Sequence, residues 1–379
     1  ESAVLSPQRR RSVRLVMRDE DRRAPAHTNG REHRPKVASR HRPIPIFALP
    51  ERPRTMPNFE EIQRPISGEM KAFEPHFREV MRRKVALLDR VMHYIVKRKG
   101  KQMRPMFTLL SARLFGPVNE SAFTAASLIE LLHTATLVHD DVVDDADLRR
   151  GFFSINALWK NKIAVLVGDY LLSRGLLLAV DKGEFDLLRI VSTAVREMSE
   201  GELLQLEKSR RMNFSEEVYF DIIRKKTASL IAACCASGAN AAGRPEDEVE
   251  RMRQFGELTG IAFQIKDDLF DYGSGQDTGK PTGLDIKEKK LTLPLIHALR
   301  TVEANDRRWM VDVVKNHNTD DAAVGRLMRK VTEVGGIAHA RQRMHEYRDK
   351  AVAILHGFPR NEARDALERL VHLTVERTK

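Results

Sequence analysis

Cysteine and long apolar runs are both scarce in this sequence. Its 379 residues contain only two cysteines, Cys234 and Cys235, which are adjacent within an apolar segment. Neighbouring cysteines rarely pair, so we predict no disulfide framework and expect both thiols to be small core residues in a reducing compartment, the cytoplasm. No charge-free apolar run reaches the length of about 18 residues that a membrane span needs, so no transmembrane helix is predicted.

Aromatic residues and strand-like alternation are also scarce. Aromatics make up 6% of the chain, and apolar residues recur at helical spacing from Phe59 onward. These features favour helix packing over sheets and predict an all-α fold, a single large helical bundle. The predicted helices are 59–73, 76–98, 102–115, 120–148, 156–180, 184–209, 215–240, 246–272, 285–301, 305–317, 320–334, 336–356 and 361–377.

The positive net charge of +12 is concentrated at the N-terminus. Residues 1–55 carry 13 Arg and one Lys against six acidic residues and have no apolar periodicity. They are predicted to be a disordered basic extension. Three interpretations remain open: a nucleic-acid-binding arm, a transit peptide, and sequence upstream of a natural start at Met56, which we favour. Residues 56–379 are predicted to form one folded domain.

Two copies of the pattern Asp-Asp-x-x-Asp stand near the ends of apolar helices. They are Asp140, Asp141 and Asp144, then Asp267, Asp268 and Asp271. Residues four apart share a helix face, so the carboxylates of each copy repel one another unless a cation lies between them. Either copy alone is also typical of a solvated acidic helix end. Two copies predict a cavity between helix ends, where oxygen ligands hold Mg²⁺ on a diphosphate.

Basic residues flank both aspartate motifs at intervals that suit phosphate binding. Gly100-Lys101-Gln102-Met103-Arg104 opens a predicted helix, whose N-terminus favours an anion. A single basic pair is more often a solvated surface, and a single histidine on an apolar helix, such as His133, is more often a core residue. The remaining basic candidates are Arg149, Arg150, Lys225, Lys226, Lys266 and Lys280.

In their order along the chain, these motifs resemble those of trans-isoprenyl diphosphate synthases. The resemblance runs from about Phe59 to the C-terminus and does not include residues 1–55. The matching motifs are Gly100-Lys101-x-x-Arg104-Pro105, His133, Asp140-Asp141-x-x-Asp144, Arg149-Arg150-Gly151, Gly168-Asp169, Lys226-Thr227, Gln264-x-x-Asp267-Asp268-x-x-Asp271 and Gly279-Lys280-x-x-Gly283-x-Asp285. The resemblance implies a Mg²⁺-dependent prenyltransferase that condenses isopentenyl diphosphate with an allylic diphosphate in a 1'-4, trans reaction.

The resemblance also implies a role for each matching residue. The metal ligands for about three Mg²⁺ ions would be Asp140, Asp141, Asp144, Asp267, Asp268 and Asp271. The allylic diphosphate would be contacted by Arg149, Lys226, Thr227, Lys266 and Lys280. Isopentenyl diphosphate would be held by Lys101, Arg104, His133 and Arg150. Gln264 would face the reacting carbons, and with Lys226 and the aspartates Asp140, Asp141, Asp144 and Asp267 it makes up the catalytic group.

Product length should depend on the depth of the apolar cavity. Ala135 and Thr136, one turn before Asp140, are small, whereas bulky residues there would stop the chain early. This pattern resembles the long-chain members and predicts about six to eight isoprene units, C30–C40, with geranylgeranyl or farnesyl length as the alternative. In a competing interpretation Ala135 is only a tight helix contact.

Other expectations follow from the same resemblance. A terpene cyclase and a non-catalytic partner subunit are the rival functions, and both usually lack one or more of the motifs present here. A homodimer is implied, no nucleic acid is expected as a partner, and long apolar products suggest transient membrane contact. One position departs from the family pattern: Lys289 replaces the glycine that usually precedes Lys-x-Thr-Leu-Pro, which puts the shape of that loop in doubt.

Overall fold

A computed structural model describes residues 59–82, 85–97, 100–149, 152–211, 215–273 and 282–377, without the side chains of Arg149 and Arg211. The predicted extension 1–55 and the predicted site residues Arg150 and Lys280 lie outside these ranges. The boundary between the extension and the folded domain therefore stays a prediction.

The described residues form a helical bundle, as predicted, with one added two-stranded antiparallel ribbon that pairs Leu148 with Phe153 and Arg149 with Phe152. A 3₁₀ turn at Arg64–Ile66 and a π-helical turn at Arg224–Ala228 adjoin α-helices. The elements are α1 Phe59–Gln63, α2 Ser67–Met81, α3 Ala86–Lys97, α4 Met103–Arg113, α5 Glu120–Val143, β1 Leu148–Arg149, β2 Phe152–Phe153, α6 Ile155–Asp181, α7 Phe185–Arg211, α8 Glu216–Ile223, α9 Ser229–Ala241, α10 Glu246–Phe270, α11 Leu284–Lys287, α12 Leu293–Thr301, α13 Ala304–Asn316, α14 Asp321–Glu333, α15 Gly336–His356 and α16 Glu362–Glu376.

Three hydrophobic clusters hold these helices together. The largest contains the buried faces of α4 and α5 and includes both Cys234 and Cys235 on α9. A second cluster lies among α11–α14, and a third joins α8, α10, α12 and α15. Burial raises the pKa of the Cys234 thiol to about 12, so this thiol stays protonated and unreactive, as expected of a small core residue.

Several predicted helix boundaries are wrong. Predicted helix 76–98 is divided between α2, which ends at Met81, and α3, which begins at Ala86, and predicted helix 120–148 ends at Val143. A break was predicted between residues 73 and 76, but α2 continues through Pro75, which lies inside the helix. Predicted helix 285–301 is instead two helices, α11 and α12, because the backbone at Lys289 turns into the left-handed region with φ 57°. Asn119, in contrast, caps α5 as predicted, since its side chain accepts a hydrogen bond of 2.9 Å from the Ala122 N–H.

Helices α5 and α6 pack closely next to the first aspartate motif. A Cβ at Gly168 would lie 2.2 Å from Nε2 of His139, so only glycine fits at this contact. The same histidine nitrogen lies 3.3 Å from Oδ1 of Asp169. The Gly168-Asp169 pair therefore fixes the residue that immediately precedes Asp140.

Both of these helices are long and apolar enough to cross a membrane by length and composition alone. The most apolar window of α5 is 67% buried inside the protein, as a core helix should be. The corresponding window of α6 is only 39% buried. Helix α6 therefore leaves much of its apolar surface uncovered within one chain.

Candidate functional site

The first aspartate motif occupies the C-terminal turn of α5. Asp140 and Asp144 are exposed, and Asp141 is buried. Asp144 caps the helix by donating its backbone N–H to the Asp140 carbonyl at 2.8 Å. Acidic side chains here oppose the helix dipole, so the fold accepts an electrostatic cost at this end.

The second aspartate motif occupies the corresponding end of α10, and its three carboxylates have different surroundings. Asp267 forms an ion pair with Arg377, which follows α16. Asp268 is buried, and accepts hydrogen bonds of 2.7 Å from the Tyr219 hydroxyl and 2.9 Å from Nε2 of Gln264. Asp271 accepts hydrogen bonds of 2.8 and 3.1 Å from the backbone N–H groups of Leu284 and Asp285.

Acidic groups crowd this end of α10. Burial, and then the charge of Asp285, raise the pKa of Asp268 to about 7, although the hydrogen bonds from Gln264 and Tyr219 act to lower it. Burial, and then the charge of Asp271, raise the pKa of Asp285 to about 6. Arg377 and Lys290 offset only part of this negative charge, so the cluster suits a cation with oxygen ligands.

Lys290 connects the two aspartate motifs. Its Nζ lies 3.7 Å from Oδ1 of Asp285, which itself neighbours Asp271. Burial lowers the pKa of this ammonium, but the hydrogen bond to Glu288 and the charges of Asp285, Glu288 and Asp144 outweigh burial and raise it. Because Asp144 acts on the same ammonium, the ends of α5 and α10 face a common region.

The π-helical turn presents Lys226 and Thr227 beside α10. A Cβ at Gly201 of α7 would lie 2.7 Å from the backbone nitrogen of Lys226. A Cβ at Gly260 of α10 would lie 2.5 Å from Cα of Ala228. Two glycines thus let α7 and α10 approach this turn from both sides. A π turn inside an α-helix is frequent at functional sites.

Polar contacts hold the side chains of this turn in place. The Thr227 hydroxyl donates a hydrogen bond of 2.7 Å to Oε1 of Gln264, and the amide nitrogen of Gln264 donates to Asp268. Lys226 forms an ion pair with Glu202 of α7. The structure therefore brings Thr227, Gln264 and Asp268 into one hydrogen-bonded row, with Tyr219 at its far end.

The other predicted cations are less closely grouped. Lys101 is exposed, Arg104 is half-buried in the first turn of α4, and His133 is buried two turns before Asp140 on α5. Lys266 lies with its ammonium 5.0 Å from the centre of the Phe270 ring. Burial, and then the charges of Arg377 and Arg341, lower the pKa of Lys266. Arg149 lies in strand β1 directly after the first motif.

The predicted length-determining residues differ in burial. Ala135 is 2% exposed and belongs to the main hydrophobic cluster, whereas Thr136 is half-buried and donates its hydroxyl to the His133 carbonyl at 2.9 Å. Burial of Ala135 is consistent with both interpretations of the sequence: a residue in the wall of the product cavity, or a residue that only makes a tight helix contact.

Four residues around the motifs were not predicted as site residues. Tyr219, Asp285, Lys290 and Arg377 each contact or neighbour an aspartate of the second motif. Asp285 stood within a quoted motif, and Lys290 begins the Lys-x-Thr-Leu-Pro pattern. Tyr219 and Arg377 carry no local pattern that distinguishes them from core or surface residues.

The loop before Lys290 keeps the shape that a glycine would allow. Lys289 adopts φ 57°, a left-handed conformation that costs a residue other than glycine roughly 1–2 kcal/mol. Its ammonium donates a hydrogen bond of 2.9 Å to the Lys315 carbonyl. Lys289, which replaces the glycine of the family pattern, therefore adopts a left-handed backbone conformation that glycine favours.

A groove in the described part of the chain lies away from these residues. It has a volume of about 1030 Å³ and is bordered by charged residues of α7 and α10 and small residues of α9, such as Arg189, Arg253 and Ala236. None of the predicted site residues lines it.

The raised pKa values of Asp268 and Asp285 predict a pH effect on stability without divalent cations. The folded chain binds these protons more tightly than the unfolded chain, so each group removes stability as pH rises from about 4 to about 7. Asp268→Asn cannot ionise and should raise Tm on the order of 5 °C near pH 8, with a smaller gain near pH 5.

Thermal unfolding followed by circular dichroism across this pH range checks the prediction. Asp181→Asn, at the exposed end of α6, is the matched control and should show no such pH-dependent gain. A gain for Asp268→Asn that is equal at pH 5 and pH 8 would contradict a raised pKa.

Comparison with known proteins shows to which family the chain belongs. The family model described as polyprenyl synthetase matches residues 85–331. Octaprenyl diphosphate synthase of Escherichia coli (strain K12) is 36% identical over 326 residues, which cover 84% of this chain and 99% of that protein. All-trans-nonaprenyl-diphosphate synthase (geranyl-diphosphate specific) of Rhodobacter capsulatus is 38% identical over 320 residues, covering 84% and 98%.

A solved structure has the same fold as this chain. Polyprenyl synthase from Caulobacter crescentus CB15, complexed with calcium and isoprenyl diphosphate, superimposes with a TM-score of 0.78 and 34% identity, covering 86% of this chain and all of that one. Since the family model and the relatives cover most of the chain, and the fold agrees, this chain belongs to the polyprenyl synthetase family.

Proposed function

We propose that this chain is a homodimeric, Mg²⁺-dependent trans-polyprenyl diphosphate synthase with products of about six to eight isoprene units. It transfers an allylic chain to isopentenyl diphosphate, as members of its family do. The observation that carries the proposal is the position of Lys290. Its ammonium lies 3.7 Å from Asp285, next to the second motif, and the charges of Asp144 and Asp271, one from each motif, also bear on it. This position supports a site for one diphosphate between the two carboxylate clusters.

Residues of both motifs would hold the metal ions. Asp140, Asp141 and Asp144 come from α5, and Asp267 and Asp271 come from α10. The raised pKa values near Asp271 support this assignment, because ionised carboxylates in that cluster need added positive charge. Asp268 is also proposed as a ligand; without metal its oxygens accept hydrogen bonds from Tyr219 and Gln264. Bound Mg²⁺ supplies neutralising charge to the leaving diphosphate.

The chain's own cations would divide between the two substrates. Lys226, Thr227, Lys266, Arg149 and Lys280 are proposed for the allylic diphosphate. Lys226 sits in an ion pair with Glu202 and would have to exchange that partner for phosphate. Lys101, Arg104, His133 and Arg150 are proposed for isopentenyl diphosphate, with the start of α4 supplying backbone N–H groups as well.

Prenyl transfer places two further demands on the protein. Loss of diphosphate leaves an allylic carbocation, which water would trap, so an apolar wall must exclude solvent. The buried side of α5 supplies such a surface next to the first motif. The double bond of isopentenyl diphosphate then attacks, a carbon–carbon bond forms, and a proton is lost. We propose the departing diphosphate as the base, since the row of Thr227, Gln264 and Asp268 positions an amide rather than a strong base.

A chain-length assay tests this function. Purified protein with Mg²⁺, labelled isopentenyl diphosphate and either farnesyl or geranylgeranyl diphosphate should give a ladder that ends at one long product. Asp140→Asn and Asp271→Asn should each lower kcat by about 10²–10³-fold, because each removes charge needed as diphosphate leaves. Asp181→Asn is the control and should retain activity.

Two outcomes would contradict the proposal. A folded protein that incorporates no isopentenyl diphosphate with either primer would point to a missing partner subunit. A cyclic hydrocarbon from the allylic substrate alone would identify a terpene cyclase.

Product length is tested at the α5 wall. Ala135→Phe should shorten the final product by at least one isoprene unit, because the ring would fill the end of the cavity. Thr136→Phe tests the neighbouring position, and Ala322→Phe on the exposed surface of α14 controls for the added ring. Products of unchanged length from folded Ala135→Phe and Thr136→Phe would assign the length limit to other residues.

The uncovered side of α6 supports the homodimer. Its exposed apolar residues recur at helical spacing and form a stripe, the α6 stripe, which continues onto α7. A stripe of this length on a folded chain marks an interaction surface. We propose a second copy of the chain as its partner. The stripe consists of Leu158, Val165, Leu166, Leu176, Leu177 and Val180 on α6, with Leu203 and Leu206 on α7.

Light scattering checks the oligomeric state. The wild-type chain should have twice the 43.3 kDa mass of one protomer, and Leu166→Lys should shift the protein toward the monomer because a charge would enter the apolar contact. Val85→Lys, at another exposed apolar position, should leave the dimer intact. A monomeric wild type whose vesicle binding is lost in Leu166→Lys would instead assign the stripe to membrane contact.

The proposal also includes a cytoplasmic location and transient membrane contact when the long apolar product leaves. The membrane contact is supported by the chemistry of the product, which is insoluble in water beyond a few isoprene units while its diphosphate is charged.

A further inference from the structure

Three metal-ligating side chains from three helices converge outside the diphosphate site. They are Glu216 at the start of α8, His297 on α12 and His339 on α15, and one ligand atom of each lies within 4.8 Å of the others. Oε1 of Glu216 is 2.9 Å from Nε2 of His339. The two imidazole rings stack with centroids 4.1 Å apart and an interplanar angle of 18°.

The positions of these side chains are fixed by packing. Each belongs to a helix that contributes to the third hydrophobic cluster, through the neighbouring residues Tyr219, Ile296 and Ala340. The side chains of His339 and Glu216 are 23% and 21% exposed, so they lie at the rim of that cluster and remain reachable from solvent. A zinc ion takes nitrogen and oxygen ligands at about 2.0–2.2 Å, so these ligand atoms would move closer together on binding one ion.

The charges at this rim also suit a cation. Glu216 supplies a carboxylate, and a neutral imidazole offers a nitrogen lone pair to a metal ion. A further charged group nearby is Arg300, an exposed side chain whose guanidinium lies 3.7 Å from Glu216 and can turn into solvent.

We propose that Glu216, His297 and His339 form a binding site for a transition-metal ion of the zinc type, with solvent at the remaining position. Two imidazoles and one carboxylate suit zinc, copper or nickel, whereas magnesium and calcium prefer sites made only of oxygen ligands. The site is therefore chemically distinct from the aspartate motifs and does not depend on the proposed prenyl transfer.

The ion would connect α8, α12 and α15 at one point. Tyr219 lies one helical turn after Glu216 on α8 and donates its hydroxyl to Asp268 of the second aspartate motif. An ion bound by Glu216 would thus stabilise α8, the helix whose Tyr219 contacts the second aspartate motif. We assign it a structural role, because the cluster joins three packed helices and lies outside the groove bordered by α7, α9 and α10.

Zinc binding by the full chain tests the site. After treatment with a chelator, the protein is returned to buffer with excess Mg²⁺, which occupies the oxygen-rich aspartate motifs, and is titrated with Zn²⁺ by calorimetry. One ion should bind per chain, and Tm should rise with Zn²⁺ concentration. Cobalt(II) used in place of zinc should give a visible absorption band, which reports nitrogen and oxygen ligation directly.

Variants decide whether these three residues are the ligands. His297→Asn, His339→Asn and Glu216→Gln should each weaken Zn²⁺ binding at least about tenfold and remove the cobalt band. Glu216→Gln keeps the size and polarity of the side chain, so it remains informative if a histidine variant fails to fold. His317→Asn, at an exposed histidine paired with Asp312, is the matched control and should bind like the wild type.

Two results would overturn the site. The first is no stoichiometric binding by the wild type. The second is binding that persists with unchanged affinity in folded Glu216→Gln, which would place the ion on the aspartates or elsewhere.

Discussion

The fold places the carboxylates at the ends of α5 and α10 close together, and many of its packing contacts support these two helix ends. Two aspartate motifs end α5 and α10, where the helix dipole already disfavours acidic groups. In the metal-free chain, Lys290 and Arg377 offset part of this charge, and burial leaves Asp268 with a pKa near neutrality. The fold therefore holds carboxylates in an electrostatically unfavourable arrangement, and binding of metal ions would relieve this repulsion.

The residues that hold the two aspartate motifs and the π turn in place lie on packed helices rather than on loops. His139 is held between α5 and α6 by Gly168 and Asp169, which fixes the first motif. The π turn is held between Gly201 and Gly260, which fixes Lys226 and Thr227. A site built on packed helix ends positions its groups more closely than one built on flexible loops, and this suits a reaction in which water must be excluded.

The sequence predicted the bundle, most helices and the two carboxylate clusters because each depends on local periodicity or spacing. Helical spacing places Asp140 and Asp144 on one face without any knowledge of the rest of the chain. Arg377, Lys290 and Tyr219 could not be found in this way, since their meeting with the second motif joins residues far apart in sequence. The His297–His339 pair was missed for the same reason: three single residues on three helices form no motif until the helices pack.

The π turn has a consequence for how this stretch of sequence is compared with others. A π turn contains one more residue than an α-helical turn, so the faces of α8 and α9 are offset by about 100° across Arg224–Ala228. A single helical wheel drawn through 215–240, predicted as one helix, therefore mixes two different buried faces. Loss of one residue here would restore a regular helix and turn Thr227 away from Gln264, so a one-residue gap at this point in an alignment signals a changed substrate site.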